Sequence, residues 1–181
     1  MRKMFIKELI CSDEIKLVKP DAERDVPLSI KWLNNTDGIK TLLLMGNAVQ
    51  DDYKTNKKEE SNRIKDFVSK KDQLNWMIEY KGKVIGAVWA DLALKNGLKS
   101  PSVHIMIGDE SARGRGIGTI AELTVIDYLF EQNYKTVYSR ALTDNKRMIH
   151  IAINKLGFKK DEKVYMGEDG LIWQNLKMDK P

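Results

Sequence analysis

Apolar and polar positions change period several times along the chain, and each period predicts an element. IKLVKP (15–20) alternates into a short strand that Pro20 ends. AERDVPLSIKWLNN (22–35) carries Leu28, Ile30, Trp32 and Leu33, a helix expected to start around Val26-Pro27 and close at Asn34-Asn35. ESNRIKDFVSKK (60–71) predicts a second, more polar helix. In NWMIEYKGKVIGAVWADL (75–92), Trp76 and Ile78 alternate on one side of Lys81-Gly82, and Val84, Ile85, Val88 and Trp89 follow on the other. That is a β-hairpin with its turn at Lys81-Gly82.

The second half switches between periods twice. SVHIMIG (102–108) predicts a strand, and GIGTIAELTVIDYLFEQN (116–133) a helix with Ile117, Ile120, Ala121, Thr124, Val125 and Tyr128 in one stripe. KTVYSRAL (135–142) predicts a strand, NKRMIHIAINKL (145–156) a helix ended by Gly157. Weaker strands follow at KVYM (163–166) and LIWQNLKM (171–178). A hairpin followed by strand–helix–strand–helix and further strands defines an α/β domain with a mixed sheet. No repeat or flexible linker divides the 181 residues, so one domain is expected over 1–181.

Composition narrows the class. The chain is 42% hydrophobic and 31% charged, ordinary for a soluble globular protein, and no apolar run approaches the roughly 20 residues of a membrane span. Lys7 and Glu8 fall where a signal peptide needs apolar residues, and a cytoplasmic protein is expected. Cys11 is the sole cysteine and His104 and His150 the two histidines, so neither a disulfide nor a metal site is expected. The net charge is +5; between residues 54 and 72 seven Lys/Arg stand against four Asp/Glu. No aromatic residues interleave with those lysines as a nucleic-acid platform requires, so a solvated helix face is the expectation.

SARGRGIGTIAE (111–122) carries the chemistry. A Walker loop needs Gly-Lys-Ser/Thr, which is absent. The dinucleotide pattern G-x-G-x-x-A is met by Gly116, Gly118 and Ala121, but there the strand must end at the first glycine. Here the strand ends near Gly108, and DESARGR intervenes. The third pattern, Arg/Gln-x-x-Gly-x-Gly/Ala between strand and long helix, is met by Arg113, Gly116 and Gly118. The first helical turn, from Ile117 to Thr119, offers unpaired N–H groups and a partial positive charge to an anion. Gly114, Gly116 and Gly118 lack Cβ atoms that would keep a diphosphate off the backbone. Arg113 and Arg115 add charge.

On these residues, SVHIMIGDESARGRGIGTIAELTVIDYLF resembles the pyrophosphate-binding strand–loop–helix of the GNAT superfamily of acetyl-CoA-dependent N-acetyltransferases. KTVYSRALTDNKRMIHIAINKLGF resembles its next strand and helix, with Asn145 at the helix start and Leu-Gly-Phe after it. The two segments cover roughly 102–158. The resemblance implies a mixed, largely antiparallel sheet of about six or seven strands flanked by helices. It implies acceptor-side helices and hairpin over about 15–95, an acetyl-CoA core over about 101–158 and terminal strands over about 159–178. The strands at 102–108 and 135–142 would part to admit the pantetheine arm, with backbone contacts at Ile105, Met106 and Ile107. Asn145 would bond the cosubstrate, cap its helix, or do both.

Direct transfer needs a neutral amine. His104 is the residue of near-neutral reference pKa on that strand, with Glu110 and Asp109 as alternative bases. The tyrosine that many members carry in the second helix is missing: its position falls on Ala152 counted from Asn145 and on Ile153 counted back from Gly157. The segment is one residue longer than usual, as a bulge would make it. Water or Tyr165 is left to protonate the thiolate. Asp51, Asp52 and Asp91 are candidates to attract a cationic amine, and Trp32 and Trp89 to line its site.

The outline resembles the branch that acetylates ribosomal-protein N-termini and some aminoglycosides, so the expected acceptor is a primary amine of a small molecule or protein terminus. Aminoacyl-tRNA, or acyl-CoA binding without turnover, are the alternatives, with a dinucleotide protein behind them. Nucleic-acid and membrane partners are disfavoured; a monomer and a homodimer are equally compatible.

Overall fold

A computed structural model describes residues 7–181. Its strands are β1 (Leu9–Ile10), β2 (Ile15–Val18), β3 (Gln73–Tyr80), β4 (Lys83–Asp91), β5 (Ser102–Ile107), β6 (Thr136–Leu142), β7 (Lys159–Met166) and β8 (Ile172–Asp179). Helices are α1 (Ala22–Leu33), α2 (Thr36–Leu44), α3 (Lys57–Ser69), α4 (Ile117–Glu131) and α5 (Lys146–Ile151). The strands form one sheet of eight in the order β1-β2-β3-β4-β5-β6-β8-β7, against the six or seven expected. Every pairing is antiparallel except β5 with β6.

Strand alternation sorts the buried side chains onto two faces. Leu17, Trp76, Ile78, Val103 and Val137 meet the apolar side of α4 and the end of α5. Val18, Met77, Val84 and Ala87 gather with Trp32 of α1 on the opposite face. The hairpin turns at Lys81 (φ 51) and Gly82 (φ 76) as expected, the left-handed pair that a two-residue turn between twisted strands requires.

The N-terminal helices differ most from the sequence reading. α1 begins at Ala22, four to five residues before the expected start, because the Asp21 carboxylate caps it by accepting from Arg24 N at 2.8 Å. Pro27 is accommodated within the helix. Asn35, read as the end of α1, instead caps the unexpected α2 by accepting from Gly38 N at 2.7 Å. α3 starts at Lys57 under an Asn56 cap. It is not solvated all round: Glu60 is fully buried, accepting from Ser29 of α1 and from Thr55 at 2.6 Å.

In the second half, Ile120 leaves the predicted stripe and is exposed, and Leu129 joins the buried face. The extra residue between Asn145 and Gly157 is absorbed by a π-helical turn, Ala152–Leu156, which Gly157 closes at φ 89. The expected bulge is therefore present, and Ala152, Leu156 and Phe158 still reach the core.

Candidate active site

β5 and β6 touch at one point. Ser102 faces Tyr138, Tyr138 N donates to Pro101 O at 2.9 Å, and Ser139 Oγ donates to Val103 O at 3.0 Å. Beyond that point the strands have no ladder among the described residues, and a cavity of about 840 Å³ opens between them. α4, α5 and α2 complete its walls. A volume of this size suits a cosubstrate or drug-sized ligand.

The glycine loop forms one end. Gly114 (φ 76) and Gly116 (φ 77) adopt the left-handed conformation, and Gly116 is the N-cap of α4 with no side-chain cap and no acidic residue in the first turn. The N–H groups of that turn are thus left without the usual protein partner. A Cβ at Gly114 or Gly116 would meet nothing within 4 Å, so the space over the loop is open. Gly118 serves a different end: its Cβ would lie 3.3 Å from Ile105 Cδ1, so its absence brings α4 close to β5. Ile117, Gly118 and Thr119 line the cavity, as do Ile105, Met106 and Ile107 of β5. Asn145 lines it too and also caps α5, accepting from Met148 N at 3.1 Å.

Arg113 lines the cavity, as expected, and is also anchored by its own hydrogen bonds. Its guanidinium donates to Ile107 O at 3.0 Å, to Asp37 at 2.7 Å and to Thr41 at 3.3 Å. It bolts the loop to α2, a helix the sequence reading lacked, and its charge is already paired. Arg115 is exposed and outside the lining. Glu110 is likewise exposed in a short 3₁₀ turn away from the lining, which removes it as a base. Asp109 pairs with Lys83 at 2.6 Å, and the Lys83 and Ser111 hydrogen bonds hold its carboxyl down at about 2.

His104 lines the cavity on the face shared with α1–α3. Its ring stacks on Trp89 with centroids 5.5 Å apart and planes at 22°. Nε2 lies 3.2 Å from Asp91 Oδ2 and 3.1 Å from Ser102 Oγ, which leaves Nδ1 without a protein partner among the described residues. Burial alone would raise the Asp91 carboxyl. The His104 hydrogen bond and charge, with help from Gln73 and Lys95, outweigh it and hold Asp91 below the carboxylate range. Asp91 was a candidate to attract the acceptor amine; it is instead the partner of the imidazole.

Across the split, on the same face, stands Arg140 of β6. Its guanidinium lies 4.2 Å over the Trp173 ring and donates to Asn96 O at 3.0 Å. No carboxylate pairs with it among the described residues, and burial, against weaker pulls from Tyr165, Asp169 and Asp91, lowers its pKa. Thr41 and Leu44 of α2, with Met45 at its C-cap, close this side. Arg140, Trp173 and α2 were missed by sequence reading, since only the strand register brings them opposite His104.

Other expectations separate from the site. Trp32 is buried under Gly108, where a Cβ would strike its ring, and does not line the cavity. Asp51 and Asp52 are exposed in a turn outside the lining. The lysines of 54–72 are absent from the lining as well. Tyr165 packs against Gly97, and His150 is exposed. Glu122 is the residue that sequence reading passed over. It sits at 1% exposure on the sheet side of α4, lines the cavity, and its Oε1 has no partner. Burial pushes its carboxyl up to about 8. The signal was available: Glu122 follows Gly118 by four and precedes Val125 by three, an acid on the buried stripe.

The acetyltransferase (GNAT) domain family matches residues 15–159, and the chain belongs to that family. Solved structures share the fold over nearly the whole length. The microcin C7 self-immunity acetyltransferase MccE, in complex with acetyl-CoA and AMP, superposes with a TM-score of 0.74 at 20% identity, over 94% of each chain. The ribosomal L7/L12 alpha-N-protein acetyltransferase RimL, in complex with coenzyme A, gives 0.76 at 13% identity, over 96% of this chain and 98% of that one. A Salmonella typhimurium acetyltransferase that modifies the N-terminal serine of ribosomal protein L7/L12 gives 0.74 at 13%, over 97% and 100%. By sequence, no curated protein matches the chain. No helix among the described residues is long and apolar enough to cross a membrane, and they hold no cluster of three or more metal-ligating side chains.

Proposed function

We propose that this acetyltransferase seats acetyl-CoA in the split between β5 and β6 and transfers its acetyl group directly to a primary amine of a small molecule or a protein N-terminus. The observation that carries the reading is the single-point contact of β5 with β6 beside an uncapped, glycine-lined start of α4. The pyrophosphate would meet the first-turn N–H groups of α4, and the pantetheine arm would run along Ile105–Ile107. In the fold relatives MccE and RimL, acetyl-CoA and coenzyme A are bound.

The amine enters from the face of His104 and Trp89. Nδ1 of His104 takes its proton, directly or through one water, while Asp91 fixes the ring through Nε2. The amine nitrogen bonds to the thioester carbonyl carbon, and a backbone N–H of β5 bonds the developing oxyanion. The C–S bond then breaks; the nitrogen gives up its remaining excess proton to water, and the thiolate leaves with its electron pair and takes a proton from that water. A lysine-like amine costs about 4.6 kcal/mol to deprotonate at pH 7, an α-amino group only about 1 kcal/mol, so the base matters most for the former. The unpaired Arg140 favours an acceptor with a carboxylate or phosphate near its amine. The fold relative MccE, in complex with both acetyl-CoA and AMP, accords with such an acceptor.

The test is calorimetric titration of acetyl-CoA into the wild type and Gly116→Trp. The position already has φ 77 and a Cβ there meets nothing within 4 Å, so the variant is strained by about 1–2 kcal/mol while its ring projects over the loop. Micromolar binding that the folded variant loses is expected. A folded wild type that binds no acetyl-CoA sinks the proposal.

A further inference from the structure

Glu122 is a carboxyl group with no partner for Oε1, buried in an otherwise apolar helix face and open only to the cavity. Such a group destabilises the free protein unless something satisfies it. Its place along α4 says what that could be. Gly118, one turn earlier, lies against Ile105 and Ile107. Glu122 is therefore one turn deeper than the phosphate end of the helix, toward the point where β5 and β6 join.

The chemistry of the surroundings leaves the carboxyl in its neutral form. The faces that β2, β4, β5 and β6 turn toward α4 are apolar apart from the Ser139 hydroxyl, which is spent on Val103 O. The titratable groups nearby are Arg147 and Lys155 on the cavity lip, Cys11 beside Thr124, and Tyr128 further along α4. No ion pair or hydrogen bond joins any of them to Glu122 among the described residues. Burial without a counter-charge holds the proton on up to about pH 8. A neutral carboxyl offers an O–H donor, which a carboxylate lacks.

Building on the seating of acetyl-CoA proposed above, we infer that Glu122 is a cosubstrate-binding residue that donates a hydrogen bond from its protonated carboxyl to an amide carbonyl of the pantetheine arm. Binding of acetyl-CoA is then linked to a proton that the protein already carries. Raising the pH through the range where Glu122 ionises replaces the donor by a buried charge facing an acceptor, and affinity falls. Glutamine at this position keeps a donor without the titration; leucine fills the space and removes both.

The experiment is titration calorimetry of acetyl-CoA against wild type, Glu122→Gln and Glu122→Leu between about pH 6.5 and 9.5. Acetyl-CoA carries no free thiol, so the glutamine variant reports any pH dependence that comes from elsewhere. Wild-type affinity is expected to be flat at first and then to fall by about tenfold per pH unit above about 8. Glu122→Gln is expected to bind like wild type at neutral pH and to show no such fall, and Glu122→Leu to bind at least about tenfold more weakly throughout. Wild-type and glutamine curves that coincide at all pH, or a leucine variant that binds as tightly as wild type, overturn the inference while leaving the cosubstrate site standing. Loss of binding in the wild type itself would overturn the site instead.

Discussion

His104 and Asp91 are diagonal neighbours across β4 and β5: Trp89 pairs directly with His104, Asp91 with Ser102, and the imidazole bridges from one pair to the other at 3.2 Å. The stack on Trp89 sets the plane of the ring, and Asp91 sets which nitrogen faces the cavity. If His104 is the base, as proposed, His104→Ala is expected to lower kcat by roughly 10²–10⁴-fold with acetyl-CoA affinity unchanged. Asp91→Asn, which keeps the ring in place but loses its charge, should cost less. Steady-state thiol release against amines of high and low pKa checks this. Equal losses for both kinds of amine would remove His104 from the proton transfer.

Glu122 also makes stability depend on pH in the absence of ligand. Its folded-state pKa of about 8 lies above the ordinary 4.5. The protonated form's contribution to stability is complete below about pH 4.5 and is lost as pH rises through about 8. At high pH the full difference is about 5 kcal/mol. Glu122→Leu should therefore melt higher than wild type by a margin that widens from about pH 5 to about pH 9. Thermal melts at both ends read the margin directly, and a constant offset would show that the carboxyl is not desolvated.

Arg140 predicts the charge of the acceptor. Amino acids should be acetylated faster than their carboxamides, and phosphoethanolamine faster than ethanolamine, by about tenfold or more. Arg140→Gln should erase the preference through KM while leaving acetyl-CoA binding intact. A variant that slows both members of a pair equally would place Arg140 at the transferring carbonyl rather than at the acceptor's anion.

The Arg113–Asp37 pair ties the phosphate loop to α2, with both side chains partly exposed. Solvent screening limits the pair to about 1 kcal/mol, and a double-mutant cycle of Arg113→Ala and Asp37→Ala should return a coupling of that size. Because α2 also lines the acceptor side, Arg113→Ala is expected to raise the acceptor KM more than that of acetyl-CoA. The reverse ranking, in kinetics at saturating partner substrate, would make Arg113 a phosphate ligand after all.

What the sequence could and could not reveal follows from the range of each interaction. The loop at Gly114–Gly118 was legible because its conformation is written in local residues, and so was the π turn, which one surplus residue between Asn145 and Gly157 demanded. α2 was not legible: Asn35 caps it as readily as it would end α1, and Gly38 interrupts its first turn. The pairing of Arg113 was not legible either, since its carboxylate partner Asp37 lies far back in the chain. Trp32 read as a site residue because an aromatic on a helix looks the same whether Gly108 or a ligand lies beneath it. Glu122 shows the opposite case, a local signal in plain view that gains meaning only when the cavity appears behind it.

The one-point junction of β5 and β6 divides the sheet mechanically into two plates, β1–β5 and β6–β8. Each plate carries one wall of the cavity on the proposed acceptor side: His104 and Trp89 on the first, Arg140 and Trp173 on the second. On the proposed reading, the aperture between the plates is the ruler that measures the acceptor, from an amine at His104 to an anion at Arg140. If a molecule wedged in the seam sets that aperture, acetyl-CoA binds before the acceptor, and the order of binding follows from the architecture of the sheet.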